Sequence, residues 1–230
     1  MQENWNKVRR NVLRAISLAQ RYYNRFLSTL CGSKGLVLVF HEVDNSNTHC
    51  VEAGSFCSID LFKDTLDKYA GQFCSIGDFV GGKNGVVITF DDVPESVLIN
   101  AVPLLQERNV PFTLYVSPKF IDKEGFLNRE QILELSKNPL CTIGAHTMNH
   151  TKLREEKDSY SDILDSKTYL EKLIDKPVEH LAYPYGRADS ISCKVRREAK
   201  KAGFISAVCT IPTKVPRMFD RYYIPRVAIY

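Results

Sequence analysis

Val86-Val87-Ile88-Thr89-Phe90-Asp91-Asp92 decides how the rest of the chain reads. Its first five residues are uncharged and largely β-branched, with no alternation of polar and apolar positions, and it ends in two adjacent carboxylates. A strand apolar on both faces belongs to a parallel sheet covered on both sides. Similar runs recur at Leu36–Phe40, Phe112–Val116, Cys141–Ala145, His180–Tyr183 and Phe204–Cys209. Helical patterns separate them near residues 59–70, 96–108, 129–137, 159–174 and 190–202. Asp60, Ser96 and Asn128 stand where helix N-caps are expected, and Gly71 and Gly203 follow helix ends where a left-handed residue is favoured. Strands alternating with helices predict an α/β fold, and this many units favour a barrel over an open sheet. Residues 1–35 read as an N-terminal helix and residues 36–230 as the barrel.

The bulk numbers fit a globular protein: 230 residues, 44% hydrophobic and 25% charged. No run approaches the ~20 apolar residues of a membrane span. Seven cysteines are scattered without a Cys-x-x-Cys pair, so neither a disulfide framework nor a zinc knuckle is indicated. A reducing, cytoplasmic setting is expected.

The net charge of +4 is unevenly placed. Residues 1–35 hold seven basic side chains against Glu3, a balance of +6, while the other 24 basic and 26 acidic residues leave the body at −2. The body therefore has no basic signature for nucleic acid. The first 35 residues lack the apolar stretch of a secretory signal. They read instead as an amphipathic helix, with Trp5, Val8, Val12, Ile16, Ala19, Tyr23, Phe26 and Leu30 in one stripe and Arg10, Arg14, Arg21 and Arg25 opposite. Such a stripe usually meets a core, which predicts a helix packed on the barrel's end; the other reading is peripheral contact with an anionic membrane, at its inner face.

Two constellations carry chemistry. Asp91-Asp92 ends the strongest strand, where adjacent like charges raise each other's pKa unless a cation or a helix N-terminus compensates them. His146 and His150 follow the strand Cys141–Ala145, four residues apart, a spacing that suits paired metal ligands but also arises among unrelated loop residues. Both groups sit at strand C-termini, where a parallel barrel keeps its active site. Two imidazoles and one carboxylate make a three-ligand metal site with open positions, and the second carboxylate is left over as a base. That set points to metal-assisted hydrolysis.

Thr89-Phe90-Asp91-Asp92, then His146-Thr147-Met148-Asn149-His150, then Ala182-Tyr183-Pro184-Tyr185-Gly186 resemble, in order, the three motifs of the polysaccharide deacetylase family. This is carbohydrate esterase family 4, the NodB-homology domain. The likeness spans roughly residues 36–229 and implies a distorted (β/α) barrel, usually of seven strands, that removes acetyl from N-acetylated or O-acetylated sugars. It implies that Asp92, His146 and His150 hold one divalent ion, zinc first, with cobalt, nickel or manganese as alternatives. Asp91 would be the base, and the backbone N–H of Tyr185 an oxyanion donor.

The departures from the family pattern are local. Ala182 stands where many members carry an arginine that orients the catalytic aspartate. The third motif instead resembles a subgroup with Ala-Tyr-Pro-Tyr-Gly that often has Pro-Arg near the C-terminus, which implies that Arg226 in Pro225-Arg226 reaches Asp91, unless it is a surface arginine on the last strand. The family's late histidine has no counterpart after Cys209. His41, at the end of the first strand, is the candidate general acid, against the simpler role of a locally bonded histidine. Val93 replaces a common glycine and predicts a stiffer loop, while His49 and His180 read as structural.

The expected partner is an acetylated carbohydrate, either a polysaccharide or a nucleotide- or lipid-linked precursor. The alternatives are hydrolysis of a non-sugar amide or cyclic imide, and a catalytically weak sugar-binding homologue.

Overall fold

The computed structural model describes residues 2–44 and 55–230, with backbone alone for residues 2–7, 9 and 10. His49 and Cys50 lie outside the described residues. The elements are α1 (Gln2–Cys31), β1 (Ser33–Phe40), α2 (Ile59–Lys68), α3 (Ile76–Gly81), β2 (Gly85–Asp91), α4 (Val102–Glu107), β3 (Phe112–Val116), α5 (Arg129–Lys137), β4 (Cys141–Ala145), α6 (Ser159–Ile174), β5 (His180–Ala182), α7 (Cys193–Lys201), β6 (Ser206–Val208) and β7 (Val227–Ala228). These seven strands run parallel in one sheet, in the order β7-β1-β2-β3-β4-β5-β6, and an eighth short strand, Val215–Pro216, pairs antiparallel with the start of β1. The segment before β7 brings the edges together. Ile224 bridges Val208 of β6, and three residues later Val227 pairs with Leu38 of β1. The expected distorted, seven-stranded (β/α) barrel is the fold observed.

Period-two geometry then sorts the side chains. Val86, Ile88 and Phe90 join the core beneath the helices, where the Phe90 ring meets those of Phe40, Phe62 and Phe112. Val87 packs inside the ring with Val37, Tyr115, Ala182 and Val208. Thr89 and Asp91 share the face of Val87, so the strand delivers a carboxylate into the ring at its C-terminal mouth. Asp91, Tyr115 and Gly144 form one row across β2, β3 and β4. A β-carbon on Gly144 would lie 2.5 Å from the Tyr115 ring, so the missing side chain is the space that the ring fills.

Three local expectations change. Ser58, not Asp60, caps α2, its side chain accepting from the Leu61 N–H, while Asp60 lies in the first turn. Residues 96–108 are not one α-helix: Val97–Ala101 forms a π-turn before α4, and Ser96 makes no capping bond. Pro103 explains the wider turn, since it has no N–H for the carbonyl four residues back. The third correction concerns α1, whose apolar stripe does not pack on the barrel. Ile16, Phe26 and Leu30 are 45%, 61% and 69% exposed, and Val8, Val12 and Tyr23 are exposed with them. The helix docks by another sector, where Asn24 is buried and accepts a bond from Gln20. Beside that sector Leu13, Arg14, Ser17, Leu18 and Arg21 line the cleft at the mouth of the ring, so the helix turns a mixed face to the cleft and leaves its apolar stripe exposed. Asn128 does cap α5, in a reciprocal box with Gln131, and Gly71 and Gly203 adopt φ of +74° and +84°.

Candidate metal centre and cleft

Asp91 is the last residue of β2, and the chain turns sharply after it. The Val93 N–H donates to the Asp91 carbonyl at 2.6 Å, with Asp92 at φ +60° and Val93 at φ +57°. Left-handed backbone costs non-glycine residues about 1–2 kcal/mol each, and a β-branched residue there is rare. The surroundings hold the turn: the Val93 side chain is buried and its carbonyl accepts from the Leu127 N–H at 3.3 Å. The turn swings the Asp92 carboxylate across the mouth of the ring.

A second compact loop carries the histidines. His146 continues β4, its N–H bonded to the Val116 carbonyl, and Thr147 and His150 take φ of +59° and +51°. The pair therefore sits on a coiled loop and not on one helical turn. That loop is pinned from outside. Ser117 Oγ donates to the Thr147 carbonyl at 2.9 Å, and Asp162 of α6 accepts from Asn149 through both its backbone N–H (3.0 Å) and its Nδ2 (2.6 Å).

The result is a buried cluster in which one ligand atom each from Asp92, His146 and His150 lies within 4.8 Å of the others. His150 Nε2 is 3.2 Å, and His146 Nε2 3.7 Å, from Asp92 Oδ1. His146 Nδ1 lies 2.8 Å from the Ala182 carbonyl. A carbonyl only accepts, so Nδ1 carries the proton and Nε2 turns its lone pair to the cluster. Burial lowers both histidine pKa values. For His150, burial and then the neighbouring His146 take it to about 3; for His146, burial outweighs Asp91. Neutral imidazoles converging on a carboxylate with its charge in the interior are a donor set that fits a divalent cation.

Asp91 borders that set, its Oδ2 3.9 Å from His146 Nε2, but is fixed by a partner of its own. Burial alone would raise its pKa, but Arg226, with help from His146, keeps its carboxyl well below the usual carboxylate range. The guanidinium is fully buried and makes a two-pronged contact, Nη1 to Oδ1 at 2.7 Å and Nη2 to Oδ2 at 2.6 Å. It also donates to Thr89 Oγ1 and to the Cys209 carbonyl, and it stands 5.5 Å over the Tyr115 ring. Arg226 is thus an interior residue delivered by the closing segment, not a surface arginine. The Ala182 side chain stays in the apolar cluster within the ring.

The remaining candidates line one cleft of about 1010 Å³, which holds His41, Asp91, Asp92, His146, His150, Tyr185 and Arg226. The Tyr185 ring is 5.2 Å from that of His150, and Tyr185 takes φ +61°. Gly186, at φ +62°, lets this turn press on Thr210: an added β-carbon would lie 2.6 Å from the Thr210 N. His180 lies outside the cleft lining and contacts Ser206 Oγ at 2.8 Å. Asp162, Lys152, Arg187 and the arginines of α1 escaped the sequence reading of the site. Arg187 alone had a local signal, its place directly after the third motif.

The polysaccharide deacetylase family model matches residues 80–206, just over half of the chain. A poly-β-1,6-N-acetyl-D-glucosamine N-deacetylase from Staphylococcus aureus is 29% identical over 162 residues, which is 64% of this chain and 55% of that protein. The chain thus spans about half the length of the curated relatives that it matches. Among solved structures, a polysaccharide deacetylase from Bacillus cereus superposes with a TM-score of 0.74 at 26% identity, over 85% of this chain and 64% of that one. IcaB from Ammonifex degensii shares the fold, with a TM-score of 0.75 at 24% identity over 86% and 93% of the two chains.

Proposed function

The chain belongs to the polysaccharide deacetylase family, and from that premise we propose that it hydrolyses the acetamide of an N-acetylated sugar, in a polysaccharide or a glycan precursor. One observation carries the reading: an open Asp92-His146-His150 ligand set beside a second, separately fixed carboxylate. Binding a sugar alone would not need a free base beside the ligand set.

When bound, the divalent ion supplies Lewis-acid polarisation and a more acidic water. Zinc suits the two-imidazole, one-carboxylate set, and cobalt, nickel or manganese compete for the same donors. Asp91 accepts the proton of the attacking water as the new carbon–oxygen bond forms. Arg226 keeps Asp91 ionised and aimed while lowering its basicity, a balance that general-base catalysis has to strike. The Tyr185 N–H donates to the oxyanion. The carbon–nitrogen bond then breaks, His41 gives the leaving amine a proton, and acetate and a free amino sugar depart.

The test is acetate release from a panel of acetylated sugars, with metal-stripped and Asp91→Asn protein beside the wild type. Acetate from at least one sugar, lost in both controls, is the expected result. Release that survives both controls defeats the mechanism, and no acetate from any sugar defeats the activity.

The proposal extends to location. The six described cysteines are free thiols, which supports a reducing, cytoplasmic setting. The exposed apolar stripe of α1 supports contact with the inner face of a membrane. Co-sedimentation with phosphatidylglycerol vesicles, weakened by Ile16→Glu with Phe26→Glu, is expected; no binding to such vesicles refutes the contact.

A further inference from the structure

Four cations surround the cleft above the metal cluster, and the mechanism above uses none of them. Arg14 and Arg21 come from α1, Lys152 lies just beyond the histidine loop, and Arg187 follows Gly186. The acidic side chains on the same walls are Asp91 and Asp92, which Arg226 and the ligand cluster engage, and Asp189. Asp189 lies 3.8 Å from Lys152. Among the described residues, Arg14, Arg21 and Arg187 have no carboxylate at ion-pair distance.

This convergence does not follow from overall charge. Beyond residue 35 the chain is net negative, with 24 basic against 26 acidic residues. Surface cations elsewhere often sit beside an acid on their own helix, as in Lys63–Asp60, Lys137–Glu134 and Lys194–Glu198. Like charges gathered in a cleft with low-dielectric walls repel one another and focus a positive potential that a bound anion relieves.

The placement fits a group attached to the reacting sugar. The Tyr185 ring is 5.2 Å from the ligand His150, and Lys152 Nζ stands 5.5 Å over the same ring. The positive wall therefore begins one aromatic ring away from the ligand cluster. A cleft of about 1010 Å³ holds more than one pyranose. Three of the four cations are arginines, whose fork matches phosphate and carboxylate oxygens in pairs.

We infer that Arg14, Arg21, Lys152 and Arg187 form a subsite for an anionic group beside the acetylated sugar, a phosphate ester or the carboxylate of a neighbouring uronic acid. The inference deepens the deacetylase reading and rests on it. Helix α1 then completes the substrate site, contributing two of the four charges.

Two measurements test this. In the first, kcat/KM for acetate release is compared among neutral N-acetylglucosamine oligomers, UDP-N-acetylglucosamine and an N-acetylated oligosaccharide containing uronic acid. A charged substrate is expected to lead by about tenfold or more at low ionic strength, and to lose most of that lead in about 0.5 M NaCl. Whichever charged substrate leads identifies the source of the anion. In the Arg14→Gln/Arg187→Gln double variant the charged-to-neutral ratio is expected to fall towards unity, through KM.

The second measurement is calorimetric binding of pyrophosphate to the metal-loaded protein. The double variant is expected to bind about tenfold more weakly, whereas affinity supplied by the metal alone would not change. Equal rates on neutral and charged sugars, or pyrophosphate affinity unaltered in the double variant, would overturn the subsite. Absence of acetate from all three substrates would count against the deacetylase reading instead, and the binding measurement would still decide the subsite.

Discussion

Replacing Arg226 by methionine keeps most of the side chain's length and removes its charge, leaving Asp91 without a cationic partner, with the neutral His146 ring 3.9 Å away. The wild-type pair is fully buried, with two contacts of 2.7 and 2.6 Å. Breaking a buried pair from one side costs roughly 3–5 kcal/mol, because the remaining charge has no compensation. Protonation limits that cost. Holding a carboxyl neutral at pH 7 against an unfolded-state pKa of about 3.9 takes about 4 kcal/mol at 1.36 kcal/mol per unit. The expected loss for metal-free Arg226→Met is therefore about 3–4 kcal/mol, read from urea unfolding.

The sign with pH follows from the same reasoning. In the wild type Asp91 is depressed, so its contribution is complete above the unfolded-state pKa and is lost only in strong acid. In the variant the folded pKa is raised, so the unfolded chain releases a proton that the folded one keeps, and stability falls as pH rises. The deficit should shrink to about 1–2 kcal/mol near pH 5. Adding Asp91→Leu to Arg226→Met should restore most of the loss, since an apolar pair replaces both charges. A deficit below about 1 kcal/mol at pH 7, or one as large in the double variant, would refute the reasoning.

Two other changes probe the frame of the site. Gly144→Ala puts a β-carbon 2.5 Å from the Tyr115 ring and 3.0 Å from the His180 carbonyl, and should cost about 1–3 kcal/mol in urea unfolding. Asp162→Ala removes both bonds to Asn149 that fix the histidine loop; zinc affinity should fall about 10–100-fold in a competition assay, with far-UV circular dichroism unchanged.

Six of the seven parallel strands were legible because each lies in a largely apolar run, while the two-residue β7 was too short to give one. The ligands were legible because Asp91-Asp92 and His146–His150 are local patterns at strand ends. Arg226 was another matter. It lies 135 residues from Asp91, and only the resemblance proposed the contact that the closing segment makes. Asp162 had no signal, since its bonds to Asn149 depend on how α6 lies against the loop after β4. The stripe on α1 shows the limit of periodicity. Spacing tells that one face is apolar but not what that face meets, and here the mouth of the ring receives the mixed sector of Leu13, Arg14, Ser17, Leu18 and Arg21. Ser96 had the composition of a cap, yet Pro103 reshaped the turn that it would have capped.

The most direct test of the central claim is zinc titration of metal-stripped protein, with bound metal and acetate release followed together. The expected result is a single site, in keeping with the one Asp92-His146-His150 cluster among the described residues, and acetate release that rises in proportion to occupancy. Asp92→Ala should abolish both. Full acetate release without metal, or zinc binding that is indifferent to Asp92→Ala, would contradict the account.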